Sequence, residues 1–356
     1  MSKDIKLLVG PTTLPKKVMT AMDHEVFGHR GKYYEEIHKS VVDKLGQLIG
    51  TKEDVILLTS SGTGGMEAAI QNCFSIGDKV IAPIIGNFGE RFADIAETYG
   101  LIVDRVYFEL GETADISKVM ERVNKDTKGV IIVHNESSTG VYNDIEALGK
   151  ELRNKDVLLV TDSVSGLGGL KINMDDWGID VVVSSSQKAL MSPPGISPIA
   201  LSKKAWERVE QSNTPTYYFN LKKARKMAKV NQTPWTPATH TLLAMKAATE
   251  MIFDEGLENV YKRHKVNQRI LIEGIEKMGY SIFAKNATYA SPTLTAIKTP
   301  MGSKRVVDYF KEKNILISAG LAPIKDEIIR VGTMGFVYEK DILEFLRVMN
   351  EFDKTI

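Results

Sequence analysis

Lys188 ends the run Asp180-Val181-Val182-Val183-Ser184-Ser185-Ser186-Gln187-Lys188, in which β-branched apolar residues give way to small polar ones. Such a run predicts a buried strand whose end delivers an amine into a site rather than into solvent. Upstream, Val157-Leu158-Leu159-Val160-Thr161-Asp162 has the same build and ends in a single carboxylate. An amine and a carboxylate at the ends of two neighbouring strands suit pyridoxal phosphate chemistry. The lysine forms a Schiff base, and the aspartate keeps the pyridine nitrogen protonated so that the ring accepts electrons. Each residue alone has an ordinary explanation, a solvated surface lysine or a helix-capping aspartate. The pair gains meaning only with a phosphate seat and a substrate anchor in the right order.

A candidate phosphate seat is Thr59-Ser60-Ser61-Gly62-Thr63-Gly64-Gly65, which follows the apolar run Val55–Leu58 and opens a helical pattern. Free N–H groups at a helix start attract phosphate, and Ser61 and Thr63 add hydroxyl donors. The segment fits neither the Walker loop nor the Gly-x-Gly-x-x-Gly dinucleotide fingerprint, and it also reads as a plain capped turn. Gly86-Asn87-Phe88-Gly89-Glu90-Arg91 follows the next strand pattern, where Phe88 is placed either to stack on a flat cofactor ring or to pack in the core. In His134-Asn135-Glu136-Ser137-Ser138-Thr139-Gly140, Ser137 either bonds a cofactor oxygen or caps a turn. Arg330 is the only charged residue of Ile328-Ile329-Arg330-Val331. A guanidinium there needs an internal acid or an incoming carboxylate, which its planar fork binds bidentately.

These groups need a scaffold that gathers strand ends along one edge. Short apolar runs alternate with amphipathic stretches through the first half, the βαβ pattern of a mostly parallel sheet. Strands are expected at Val55–Leu58, Lys79–Pro83, Ile102–Tyr107, Gly129–His134, Val157–Thr161, Val181–Ser184 and Ser197–Ser202. Right-handed crossovers place helices on both faces of such a sheet. Residues Thr214 to Pro237 are polar and aromatic with few apolar repeats, and one long helical pattern runs from Thr239 toward His264. Short strands return after Tyr280, and a last helix is expected near Glu339–Phe352. The expected architecture is therefore α/β: a large domain with a mostly parallel sheet sandwiched by helices, plus a smaller C-terminal α+β domain. The division reads as an N-terminal segment over residues 1–15, the large domain over 16–238, and a linking helix with the small domain over 239–356.

Of the 356 residues, 43% are hydrophobic and 26% charged, with a formal net charge of +1. That balance is ordinary for a soluble protein and gives no support for nucleic acid or an anionic membrane as partner. No signal-like or membrane-spanning run is present, so a cytoplasmic location is expected. One cysteine, Cys73, allows neither an internal disulfide nor a cysteine metal cluster.

The ordered motifs Ser61-Gly62-Thr63, Gly86 to Arg91, His134 to Gly140, Asp162-Ser163-Val164-Ser165-Gly166-Leu167-Gly168-Gly169, Ser186-Gln187-Lys188 and Arg330 to Gly335 resemble the class V, fold-type I aminotransferases. The likeness is strongest to the alanine–glyoxylate and serine–pyruvate group, and it spans the chain from Gly10-Pro11-Thr12 to Arg330. It implies that Lys188 holds pyridoxal 5'-phosphate and moves the substrate proton, while Asp162 pairs with the ring nitrogen. It also implies that Ser61, Gly62, Thr63 and Gln187 hold the phosphate, Phe88 stacks on the ring, Ser137 sits near cofactor oxygen and substrate, and Arg330 clamps the substrate carboxylate. In such enzymes a Tyr and a Thr of the neighbouring subunit also reach the phosphate, which implies a homodimer. Here Thr236 matches the Thr, and Thr233 stands where the Tyr is expected. The expected reaction is amino transfer from alanine or serine to glyoxylate or pyruvate. A 2-aminoethylphosphonate or aspartate aminotransferase is the alternative within the class. A cysteine desulfurase is the alternative beyond it, and that chemistry needs a mobile nucleophilic cysteine.

Overall fold

The computed structural model describes residues 4–354. Seven strands form the central sheet in the spatial order Val55–Leu58, Ser197–Leu201, Val181–Val183, Leu158–Asp162, Thr127–Val133, Lys79–Ile84 and Ile102–Tyr107. All neighbours run parallel except Ser197–Leu201, which is antiparallel to both of its partners. The expected α/β architecture is the observed one, and the expected strands recur with ends shifted by a residue or two.

The two faces of the sheet are covered by helices, and the apolar residues divide between them with the strand period of two. Val130, Ile132, Leu159 and Val182 pack on one side with the helices Lys32–Ile49, Ile145–Leu152 and Thr239–Glu255. Ile131, Val160, Val181 and Val183 pack on the other with Gly62–Cys73, Asn87–Thr98 and Lys203–Gln211. Burial on both faces explains why the runs are continuous rather than alternating.

Two elements differ from the expectation. The long helical pattern after Thr239 is broken at Gly256, whose φ of 85° ends one helix, Thr239–Glu255, and admits a second, Leu257–Lys277. Glycine reaches that backbone conformation without the strain a side chain brings. Within Thr214 to Pro237 lies the helix Leu221–Ala228, which buries only Leu221 and Ala224. So thin an apolar stripe leaves little periodic signal.

The C-terminal part builds a second sheet from Leu294–Lys298, Ile328–Gly332 and Ser318–Ala319, all antiparallel, with Ile328–Gly332 in the middle. Its apolar side packs Ile297, Ile329, Val331, Phe310, Phe345 and Phe352 into a separate core. Leu7 joins that core, and Ile5–Lys6 pairs in parallel with Ile315–Leu316, so the N-terminal strand is tied to the far end of the chain. No helix among the described residues is long and apolar enough to cross a membrane.

Candidate active site

Asp162 is the last residue of its strand, and Lys188 lies just past the end of the neighbouring strand Val181–Val183. Parallel pairing puts both at the carboxyl edge of the sheet, beside the loops that carry Ser61, Phe88 and Ser137. Asp162 is buried, and its Oδ1 accepts from the Val164 N–H at 2.8 Å. Burial pushes this carboxyl up to about 6, against the Val164 hydrogen bond; Glu136 adds to the rise, and Lys188 and Arg91 oppose it. The Lys188 amine is pushed down to about 8, first by burial and then by Arg330, with Asp162 opposing. A desolvated amine and carboxyl therefore sit within electrostatic reach of one another, each near the pH range where protons are exchanged.

The Lys188 amine is held from an unexpected direction. Its Nζ donates to the Val9 carbonyl at 2.5 Å, and Thr12 Oγ1 donates to the Lys188 carbonyl at 2.9 Å. Gly10 between them has φ 127°, and a Cβ there would lie 2.6 Å from Nζ, so the segment lies flat against the lysine because position 10 carries no side chain. These contacts span more than 170 residues of chain. The only local trace of them in the sequence is the Gly10-Pro11 pair.

The loop after Val55–Leu58 enters the helix Gly62–Cys73 with Ser61 at its N-cap, and the Ser61 side chain makes no capping hydrogen bond. The first helical bond runs from the Gly65 N–H to the Ser61 carbonyl at 3.3 Å. The N–H groups of Gly62, Thr63 and Gly64 thus have no backbone acceptor among the described residues. A Cβ on Gly62 would lie 3.3 Å from that of Ser185, whose hydroxyl donates to Gln187 Oε1 at 2.5 Å. Gly62, Ser185 and Gln187 are in this way brought together at the start of this helix. Phe88 opens the helix Asn87–Thr98, and the Arg91 guanidinium covers its ring at 4.7 Å.

Glu136 organises this edge, a role that nothing in its own motif marks. It is fully buried. Oε2 accepts from the N–H groups of Phe88 and Gly89 at 3.0 and 3.1 Å, capping their helix from outside it. Oε1 accepts from the N–H and hydroxyl of Ser138 at 3.0 and 2.6 Å. Burial pushes its carboxyl up while these donors oppose the shift. Glu136→Ala strands several buried donors at a cost of about 1–3 kcal/mol each. The expected result is a lowered thermal unfolding midpoint in both the cofactor-free and loaded protein, and an unchanged midpoint would contradict the capping role.

Arg330 comes from the middle strand of the second sheet. Nε donates to the Ala319 carbonyl at 2.8 Å, and Nη1 donates to the Ser137 carbonyl at 2.9 Å. No carboxylate lies within ion-pair distance of it among the described residues, and burial pulls its proton affinity down, with Glu136 opposing at longer range. One N–H of Nη1 and the whole of Nη2 are left for something else. Ser137 is buried, and its hydroxyl has no hydrogen bond within the described residues. Cys73 is buried at the end of the helix Gly62–Cys73, where burial drives its thiol far upward, so it presents no thiolate. Thr236 is exposed and is not brought into this cluster; Thr233 is buried, and its hydroxyl donates to the Trp235 carbonyl at 2.8 Å.

The Aminotransferase class-V family model matches residues 8–337. An uncharacterized aminotransferase of Methanocaldococcus jannaschii is 37% identical over 97% of this chain and 91% of its own length. A serine–glyoxylate aminotransferase of Methylorubrum extorquens is 32% identical over 94% of this chain and 87% of its own. Among solved structures, the aspartate aminotransferase of subgroup IV from Thermus thermophilus superposes with a TM-score of 0.93 at 30% identity, covering 99% of this chain and 100% of that one.

Proposed function

Because the chain belongs to the class-V aminotransferase family, whose enzymes depend on pyridoxal phosphate, we propose that it moves the amino group of a small L-amino acid, alanine or serine, to glyoxylate or pyruvate in a ping-pong cycle. The observation that carries the reading is Arg330, a buried guanidinium with no acidic partner among the described residues, within electrostatic reach of the Lys188 amine. Leaving a guanidinium buried and unpaired is costly, and the carboxylate of an amino or oxo acid removes that cost with charge-assisted bonds.

The residues present fit the cofactor. A desolvated amine, a buried carboxyl and a helix start with unpaired N–H groups match its aldehyde, ring nitrogen and phosphate. Pyridoxal phosphate, when bound, supplies an electron sink and a carrier for the amino group. Lys188 would hold it and, once released, would take the α-proton from the donor. Asp162 stays ionised against the protonated ring nitrogen, since the opposite charge offsets the desolvation that raises its affinity for a proton. Ser61, Gly62, Thr63 and Gln187 would hold the phosphate, Phe88 would pack on the ring, and Ser137 would bond the cofactor oxygen or the substrate. In a homodimer, Thr236 of the second copy completes the phosphate site, which accounts for its exposure in a single chain. A cytoplasmic enzyme is the reading that goes with this chemistry.

The test is a half-reaction. The protein loaded with pyridoxal phosphate is mixed singly with L-alanine, L-serine, L-aspartate or 2-aminoethylphosphonate and no oxo acid. The expected result is conversion of the pyridoxal absorbance to that of pyridoxamine phosphate with alanine or serine. Conversion by aspartate or the phosphonate alone would replace the donor, and conversion by none would end the transaminase reading.

A further inference from the structure

A cavity of about 640 Å³ opens behind the carboxyl edge of the sheet between the helices Ile145–Leu152 and Leu257–Lys277. Its volume is that of a site for a small organic molecule. The walls are aromatic: Trp177, Tyr142, Tyr261, Tyr289 and His134. Trp177 meets the His134 ring edge to face at 6.5 Å, and Tyr142 meets Tyr289 at 5.6 Å.

Two of these side chains carry polar atoms with nothing to bond. His134 is 3% exposed; Nδ1 shares a hydrogen bond of 3.0 Å with the Ser163 hydroxyl, and Nε2 has no partner among the described residues. Nε2 is not among the atoms sealed from solvent, so it opens onto the cavity that its ring lines. Burial pulls the ring down to about 4, which keeps it neutral near pH 7. Tyr261 is 8% exposed, and its hydroxyl is likewise without a hydrogen bond among the described residues. Burial, with Glu258 adding, pushes that hydroxyl up to about 12, so it remains a donor. A buried polar atom facing an open cavity is satisfied by water or by a polar group that enters the space.

Charges of both signs stand at the rim. Glu258, Tyr261, Lys265 and Gln268 share one face of Leu257–Lys277 at helical spacing, and Lys171 stands across from them. Lys171, Lys265 and Glu258 have no ion-pair partner among the described residues. The other acids of the lining are engaged: Asp144 accepts from the Ala147 N–H, and Glu146 pairs with Lys150. Aromatic walls with an unpaired acid and unpaired amines at the rim match a zwitterion that carries a flat ring.

We infer that this cavity is an effector site for an amino acid with an aromatic side chain, its carboxylate at Lys171 and Lys265, its ammonium at Glu258, and its ring between Trp177 and the tyrosines. The floor is tied to the chemistry. The backbone N–H of His134 donates to the Asp162 carbonyl at 2.8 Å, and the Ser163 hydroxyl that holds the imidazole belongs to the residue next to Asp162. A ligand that reorients His134 therefore acts on the backbone that sets Asp162. This site does not depend on which donor the enzyme uses.

The experiment is a titration of the loaded enzyme with L-phenylalanine, benzoate and phenethylamine, followed by calorimetry and by the absorbance of bound pyridoxal phosphate. The expected result is saturable binding of L-phenylalanine with a spectral shift that saturates with it. That binding survives Arg330→Gln, and it weakens about tenfold in Lys265→Ala and in Glu258→Gln, whose turnover is unchanged. Loss of binding in Arg330→Gln would assign the ligand to the active site and overturn the inference. Absence of binding at millimolar concentration, or equal binding of benzoate or phenethylamine, would also overturn it. Binding without a spectral shift would remove the effector role.

Discussion

Lys188→Ala loses turnover by about 10³-fold or more while its thermal unfolding midpoint in the cofactor-free state stays within a few degrees of the parent. The two halves of this expectation have separate causes. Loss of function follows from the proposed role, in which the amine supplies both the covalent hold and the proton transfer, and no other lysine acts on Asp162 among the described residues. The fold is retained because the lysine is a burden on it: its amine is desolvated, and its one hydrogen bond is to the Val9 carbonyl, in a segment that Thr12 also fastens. Removing a buried cation releases a desolvation cost that offsets the lost bond. The depressed amine also gives the reaction with cofactor a pH dependence. The neutral amine is the nucleophile, and its fraction rises as pH passes upward through about 8 rather than near the ordinary lysine value. The rate at which cofactor-free protein captures pyridoxal phosphate should therefore rise through that range and level off above it. Stopped-flow absorbance across pH 6 to 10 measures it; a rise still continuing near pH 10, or turnover in Lys188→Ala within tenfold of the parent, would remove Lys188 from its place.

The fold class was legible because strands buried on both faces must be written as unbroken runs such as Val181-Val182-Val183, and such runs separated by helical patterns admit few architectures. The strand ends were legible for the same reason, since an apolar run that stops at Asp162 or at Ser184 to Lys188 marks the edge where side chains change role. Residues that act by closing contacts between distant parts of the chain were not legible. Val9, 179 residues away in the chain, and Gly10 beside it reach Lys188, and nothing local at Val9 marks its carbonyl as an acceptor. Glu136 reads as one acid among hydroxyls until the start of another helix is placed against it. The split at Gly256 was hidden because residues on both sides keep helical propensity, and a single glycine inside such a pattern is compatible with either outcome. Thr236 illustrates a different limit, since a residue proposed to serve a second copy leaves no pattern inside its own chain.

Arg330→Gln should lower kcat/KM for L-alanine by about 10²–10³-fold, the equivalent of losing about 3–4 kcal/mol of charge-assisted hydrogen bonding to the donor carboxylate. The guanidinium is aimed rather than free: Ala319 and Ser137 carbonyls hold Nε and Nη1, and the strand that carries Arg330 is flanked on both sides. That anchoring leaves Nη2 and one N–H of Nη1 in a fixed fork, so little side-chain entropy is lost when a carboxylate arrives. Glutamine keeps a hydrogen-bond donor but neither the charge nor the fork, and lysine at this position keeps the charge without the geometry. Arg330→Lys is therefore expected to recover only part of the loss. A purely structural role for Arg330 predicts something else, namely that loosening Ser137 and Ala319 harms every substrate alike. The separating measurement is the half-reaction rate with a primary amine that lacks a carboxylate, compared with L-alanine in parent and variant. If Arg330 grips the carboxylate, the slow reaction of the simple amine is unchanged by the substitution while that of alanine collapses toward it. Equal losses for both amines would reduce Arg330 to a strut between the two sheets. With that, the reason for burying an arginine without an acid beside it would have to be sought elsewhere.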